Sequence, residues 1–247
     1  MKESRLVEWL ELGLTDYEQA CQLQLDLSRK LAEPAELSGY LLLLEHPPTI
    51  TFGYSLKGDQ ARNQLRVSEN FLHARGILVY HTDRGGKATY HGPGQLVAYP
   101  ILKLDRFRFS ARDYVGRLEQ WAIDWLESVG IAAGRDPQYP GVWVGKMKIA
   151  SVGVRIEKHV SRHGLAINLW PDLSCFDLIV PCGIPGRKVT SCFELTGKKI
   201  LYKQAVPGLL SSFRRVFGTE LRPGSLDTQM GEGGKNDDQG MADARAV

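Results

Sequence analysis

The sequence predicts an α+β fold built on a mixed or antiparallel sheet. Its apolar strand segments follow one another through turns instead of alternating strictly with helices. Helical periodicity is confined to a stretch near the N-terminus, one in the middle and one near the end of the body. The 247 residues are 43% hydrophobic, enough for one sizeable core, and no interdomain linker or repeat interrupts residues 1–223. That span is read as a single domain.

Thr15-Asp16-Tyr17-Glu18 has capping-box spacing, and Ala20, Leu23, Leu27 and Leu31 follow at helical intervals, so a first helix is expected over residues 16–31. Residues 40–44, YLLLL, read as a buried strand ended by His46-Pro47-Pro48, because proline cannot continue an interior ladder. Residues 77–81 and 95–102 read as further strands, separated by a glycine-rich loop that begins at Asp83. Ser110-Ala111-Arg112-Asp113 opens a long amphipathic helix through Leu118, Trp121, Trp125 and Leu126 that stops near Gly130. Residues 142–144, 147–156 and 165–169 are expected as adjoining strands, and residues 202–217 as a closing helix.

Residues 224–247 contain no aromatic residue and abound in Gly, Asp and Gln. Ordering them would bury too little apolar surface to offset the chain entropy, so an acidic disordered tail is expected. The tail has five acidic and two basic residues, a net −3, so the body carries +6 within a chain of net +3. Such an excess steers an acidic partner, protein or nucleic acid, without choosing between them. No apolar run approaches membrane-helix length and no secretory signal opens the chain, so no membrane partner and a cytoplasmic address are expected. The four cysteines have no CxxC pairing, which suits a reducing compartment.

Three segments carry candidate chemistry. The run from Arg84 to Gln95 holds four glycines after a strand, which makes it either a loop lining a ligand, with Arg84 and His91 presented to it, or a tight turn. It lacks the order of a nucleotide-phosphate loop. In Met147 to Ile156, alternation places Lys148 on one strand face with Ala150, Val152, Val154 and Ile156. Lys148 is then either a strand-end lysine snorkelling to water or a buried ammonium that holds an anion. Cys182, in VPCGIPG, lies among prolines and glycines where a thiol stays accessible, and is the favoured nucleophile. Cys175, seven residues upstream in a similar loop, is the second candidate, while Cys21 and Cys192 read as small hydrophobes. A cysteine near pKa 8.5 is only about 3% ionised at pH 7, so a nucleophilic one needs a cation such as Lys148 or a histidine. The six histidines show no metal-ligand spacing, so no metal is expected.

Taken together, RGGKATYHGPGQLVAYPI (84–101), KIASVGVRI (148–156), HGLAINL (163–169) and PCGI (181–184), with LLEHPPTITFG (43–53) upstream, resemble the lipoyl(octanoyl) transferases, the LipB family. The resemblance implies a single α+β domain with a central mixed, largely antiparallel sheet flanked by helices, similar to biotin and lipoate protein ligases. It also implies transfer of octanoyl from octanoyl-acyl carrier protein, through a cysteine thioester, to a specific lysine of lipoyl domains. The acceptors would be the E2 subunits of 2-oxoacid dehydrogenases and the glycine cleavage H protein. On the matched motifs, Cys182 is the nucleophile and Lys148 the group that lowers its pKa. The acyl-binding residues are Arg84, Gly85, Gly86, Lys87, Ala88, Thr89, Tyr90 and His91, then Ser151, Val152 and Gly153, then Gly164, Leu165 and Ala166. No cofactor is implied. The alternatives are an ATP-dependent lipoate-protein ligase, against which Cys182 counts, and a cysteine acyl-thioester hydrolase. Nucleic-acid binding would leave Cys182 and Lys148 idle, and none is expected.

Overall fold

A computed structural model of the chain describes residues 5–32, 36–180 and 188–225. Strand β1 (Leu6–Leu14) leads through helix α1 (Tyr17–Ala32) to β2 (Gly39–Glu45), and β1 and β2 pair in parallel. Sequence reading does not find β1, whose polar residues Glu8 and Glu11 interrupt its apolar pattern. Asp16 caps α1 in place of the expected Thr15: its Oδ1 accepts from the Glu18 and Gln19 amides at 2.9 and 3.4 Å, while the Thr15 hydroxyl donates to Leu12 O.

After Pro47-Pro48 the chain forms a small second sheet. It consists of β3 (Thr49–Phe52), β4 (Leu78–His81) and β5 (Ala88–His91), with short helices α2 (Asp59–Arg62) and α3 (Glu69–Ala74) between the first two strands. β3 is central, parallel to β4 and antiparallel to β5. Strand β5 falls where the sequence suggested only loop. Its four residues are too few to show a period among the glycines around them.

The main sheet resumes with β6 (Gln95–Leu102), followed by α4 (Leu104–Phe107), α5 (Ala111–Ser128), β7 (Gly134–Arg135), β8 (Val142–Val144), β9 (Met147–Glu157) and β10 (Val160–Asn168). After a 3₁₀ turn at Leu173–Leu178 come α6 (Cys192–Thr196), α7 (Tyr202–Phe217) and β11 (Glu220–Pro223). The eight strands lie in the order β11-β1-β2-β6-β10-β9-β8-β7, antiparallel from β2 onward and parallel at β11, β1 and β2. The sheet is therefore mixed and largely antiparallel, and helices flank it.

Both sheet faces are covered, and for this reason YLLLL is continuously apolar. Leu41 and Leu43 pack with Trp121 and Trp125 of α5 and Phe213 and Phe217 of α7. Tyr40, Leu42 and Leu44 pack with Ala20, Leu27 and Leu31 of α1. The Trp121 indole also donates to Leu209 O at 2.8 Å, so its own N–H is not stranded between α5 and α7. A third cluster, around Ile50, Phe52, Leu72, Tyr90 and Phe176, lies under the small sheet.

Candidate acyl-transfer site

The two sheets meet where the loop after β4 crosses β9. Gly85 N–H donates to Val154 O at 2.9 Å. Gly153 makes this approach possible, since a Cβ there would stand 2.8 Å from the Gly85 carbonyl oxygen. Arg84, which the sequence offers as a group presented to a ligand, uses its buried guanidinium to tie its own loop to β3. It donates to Thr51 O and Oγ1 at 2.7 and 2.8 Å, to Lys87 O at 2.8 Å and to Gly85 O at 3.0 Å.

Between this loop and the sheet lies a cavity of about 280 Å³. Residues 84–89 and His91 form one wall, residues 151–154 and 164–166 the other. The three acyl-binding segments implied by the resemblance, the first of them about 60 residues before the other two in the chain, thus border one cavity. Tyr90 is the exception. Strand alternation sends its ring to the third cluster, edge-on to Phe176 with centroids 5.5 Å apart, while Thr89 and His91 border the cavity. Gly164 sits over Ala98, whose carbonyl oxygen would lie 2.3 Å from a Cβ at that position, so the floor carries no side chain there.

Lys148 borders the same cavity and is only 5% exposed, which answers the snorkelling alternative. Its ammonium donates to Pro140 O at 2.8 Å and lies 4.8 Å from the centre of the Trp143 ring. Lys148 N–H donates to Lys188 O at 3.0 Å, and its carbonyl accepts from Thr190 N–H at 2.9 Å. Cys182 lies outside the described residues. The described chain resumes six residues after it, at Lys188.

The other cysteines are poor thiolates. Burial pushes the Cys21 and Cys192 thiols up to about 12. Cys175 is not in an open loop as expected but buried in the 3₁₀ turn, and burial raises its pKa as well.

Sequence reasoning missed several lining groups, among them Tyr99, Tyr139, Pro140 and His163. His163 opens the HGLAINL motif and was the one with a visible signal. Behind the wall lies a buried polar network. His91 Nδ1 and Gln95 Oε1 are 2.7 Å apart, Gln95 Nε2 donates to Asn168 Oδ1 at 2.9 Å, and Asn168 Nδ2 donates to Thr190 O at 2.9 Å. His46 sits between Thr15 O at 2.7 Å and the Tyr99 hydroxyl at 2.9 Å. Burial lowers the pKa of His46 to about 4 and holds His91 well below the imidazole range, so both are neutral at pH 7. Among the described residues no cluster of His, Cys, Asp and Glu could hold a metal ion, and no helix is long and apolar enough to cross a membrane.

Residues 16–214 match the lipoyl protein ligase A/B catalytic domain family. The chain is 43% identical over 217 residues to an octanoyltransferase of Solibacter usitatus, covering 87% of this chain and 94% of that protein. It is 40% identical over 214 residues to an octanoyltransferase of Alkaliphilus metalliredigens, covering 86% and 95%. Among solved structures it is similar to a lipoate-protein ligase A bound with ATP, with a TM-score of 0.71 at 18% identity over 92% of this chain and 90% of that one. It is also similar to a bipartite lipoate protein ligase of Thermoplasma acidophilum, with a TM-score of 0.66 at 17% identity over 93% and 89%. At these identities the two structures establish the shared fold alone.

Proposed function

Since the chain belongs to the lipoyl protein ligase A/B catalytic family and, within it, to the LipB-type octanoyltransferases, we propose that it carries octanoyl from octanoyl-acyl carrier protein to a lipoyl-domain lysine through a thioester on Cys182. The convergence of three glycine-bearing segments on one cavity, with a buried ammonium at its border, carries this reading. A cavity of about 280 Å³ walled in part by Gly85, Gly86, Gly153 and Gly164 leaves room for an acyl chain. Burying about seven methylene-sized groups at ~0.8 kcal/mol each offers on the order of 5 kcal/mol for holding it.

The Cys182 thiolate attacks the donor's carbonyl carbon. As the new C–S bond forms, the donor's C–S bond breaks and its thiol leaves. The acceptor lysine amine then attacks the enzyme thioester, an amide forms, the amine loses a proton and the Cys182 thiolate is released. Lys148 favours the thiolate by its charge. Bringing the thiol from about 8.5 to about 6.5 takes about 2.7 kcal/mol and ionises roughly three quarters of it at pH 7. The return of the chain to Lys148 at Lys188–Thr190 supports the pairing. The raised pKa values of Cys21, Cys175 and Cys192 count against those thiols.

The family resemblance points to lipoyl domains of 2-oxoacid dehydrogenase E2 subunits and the glycine cleavage H protein as the acceptors. The test incubates enzyme, octanoyl-acyl carrier protein and a lipoyl domain without nucleotide, following enzyme mass, octanoyl-lysine and free octanoate together. The expected result is an octanoyl adduct on Cys182, absent from Cys182→Ala, with amide product exceeding free acid. An adduct on Cys175 would overturn the nucleophile. Dependence on ATP would show a ligase, and octanoate release indifferent to the lipoyl domain a hydrolase.

A further inference from the structure

A second cavity, of about 660 Å³, lies beside the first, bordered by Tyr17 and Gln24 of α1, Tyr80 of β4, Asp83 and Arg162. Among the described residues, His163 alone borders both cavities. We propose that the His163 imidazole is the end wall of the acyl cavity and sets the longest chain the enzyme accepts. This inference rests on the reading of that cavity as the acyl site.

Position comes first. His163 pairs with Val154 across the β9–β10 ladder. The Lys148 ammonium, which marks the carbonyl end, would lie 3.2 Å from a Cβ on Gly141, and that same Cβ would lie 2.7 Å from Ala150 O. From the level of Ala150 to that of Val154 is four residues, roughly 13 Å of strand at ~3.3 Å per residue. The imidazole and its van der Waals contacts occupy part of that length. An extended octanoyl group, seven carbon–carbon bonds of ~1.5 Å in a zigzag, spans about 9 Å. Gly153, Gly164 and Ala166 beside it offer no side chain long enough to stop an acyl tail.

The wall is also rigid. His163 Nε2 lies 2.7 Å from Asp83 Oδ1, and Asp83 Oδ2 accepts from Arg162 at 2.6 Å. The His163 amide donates to Gln24 Oε1 at 2.6 Å, and the ring stands edge-on to Tyr99 with centroids 6.0 Å apart. With Nε2 engaged by the carboxylate, Nδ1 is buried and has no hydrogen-bond partner among the described residues. A chain longer than octanoyl would meet a fixed polar ring. Removing that ring would join the smaller cavity to the larger.

His163 has φ +58°, a conformation glycine adopts without strain, so His163→Gly opens the wall while leaving the backbone where it is. The probes are straight-chain alkanoates of six to fourteen carbons, bound to the full chain, and acyl carrier proteins bearing octanoyl or dodecanoyl. In the wild type, affinity should rise about fourfold per methylene up to eight carbons and then stop rising. In His163→Gly the rise should continue to twelve carbons or beyond, and the dodecanoyl-to-octanoyl transfer ratio should increase at least tenfold. His163→Phe, which keeps a ring, should leave the break where it is. A break unmoved in folded His163→Gly overturns the proposal, as does wild-type affinity that climbs without a break. Should His163→Gly fail to fold, the wild-type series and His163→Phe still decide. Wild-type binding with no dependence on chain length would instead overturn the acyl-site reading itself.

Discussion

The Lys148 ammonium lies 4.8 Å from the centre of the Trp143 ring while donating to Pro140 O at 2.8 Å, so a buried cation is held by an aromatic face and a carbonyl from the neighbouring strand and its approach. Trp143 and Lys148 are paired across the β8–β9 ladder, which fixes this geometry through the backbone. Burying an ammonium costs free energy unless such groups replace its water, and a cation–π contact supplies ~0.5 to 2 kcal/mol.

Lys148→Ala should therefore raise the pH midpoint of Cys182 alkylation by about one unit or more, since loss of a nearby cation favours the neutral thiol. Trp143→Leu should move it the same way by less. Peptide-resolved mass spectrometry after timed alkylation at several pH values measures both. An unchanged midpoint in Lys148→Ala would remove the lysine from thiol activation.

Asn168 joins Gln95 to Thr190, and Thr190 N–H is bonded to Lys148 O, so one buried side chain ties β6 to the chain beside the lysine. Asn168→Leu leaves two buried polar partners unpaired at about 1 to 3 kcal/mol each. Calorimetry should show a melting temperature lower by roughly 10 °C. A loss of only a degree or two would mean that the network rearranges around the leucine.

Stability should fall in acid well before the carboxylates titrate. Burial depresses His46 to about 4 and lowers His91 and His163 from the usual imidazole value of about 6.5. Their neutral forms belong to the folded state, so the associated stability is fully present above pH 6.5. It is lost as pH falls toward the folded-state values, with His46 alone contributing on the order of 3 kcal/mol. Burial would raise the Asp83 carboxyl, but His163 and Arg162 outweigh it and hold that group well below the carboxylate range, so its loss comes only at lower pH. Denaturant midpoints measured between pH 7 and 4 should fall steadily. A flat profile would mean that these histidines already carry protons in the folded protein.

Ending the chain after Ser225 should leave melting temperature and transfer within error of the full-length protein, because β11 and the Gly224 amide bond to Trp9 O are kept. Ending it at Gly218 removes β11 from the sheet edge and should lower the melting temperature by several degrees. If the longer truncation is equally destabilised, the acidic tail docks on the body.

The elements legible in the sequence include β4, β8 and the latter part of β10, and above all α1, α5, α7, β2, β6 and β9, whose own length reveals a period or a continuous apolar run. Their burial repeats often enough to be counted, and Lys148 is recognisable as a charge breaking such a pattern. The glycine-bearing motifs likewise mark where backbones must approach.

The strands β1, β3 and β5 were not legible. Polar residues break the pattern of β1, and β3 and β5 are four residues each. Their placement comes from ladders with partners far along the chain, such as Leu6 with Glu220 and Thr49 with His91. The same limit applied to the site. That Arg84 braces its own loop, that Tyr90 faces away from the cavity, and that His163 borders two cavities all follow from packing between distant segments. The sequence by itself determined the family and the fold class and marked three segments that border the cavity, because those reside in local pattern and motif order. Only the tertiary structure decided which side chain of each segment faces the cavity, because a side chain's facing depends on register and on the neighbours opposite it.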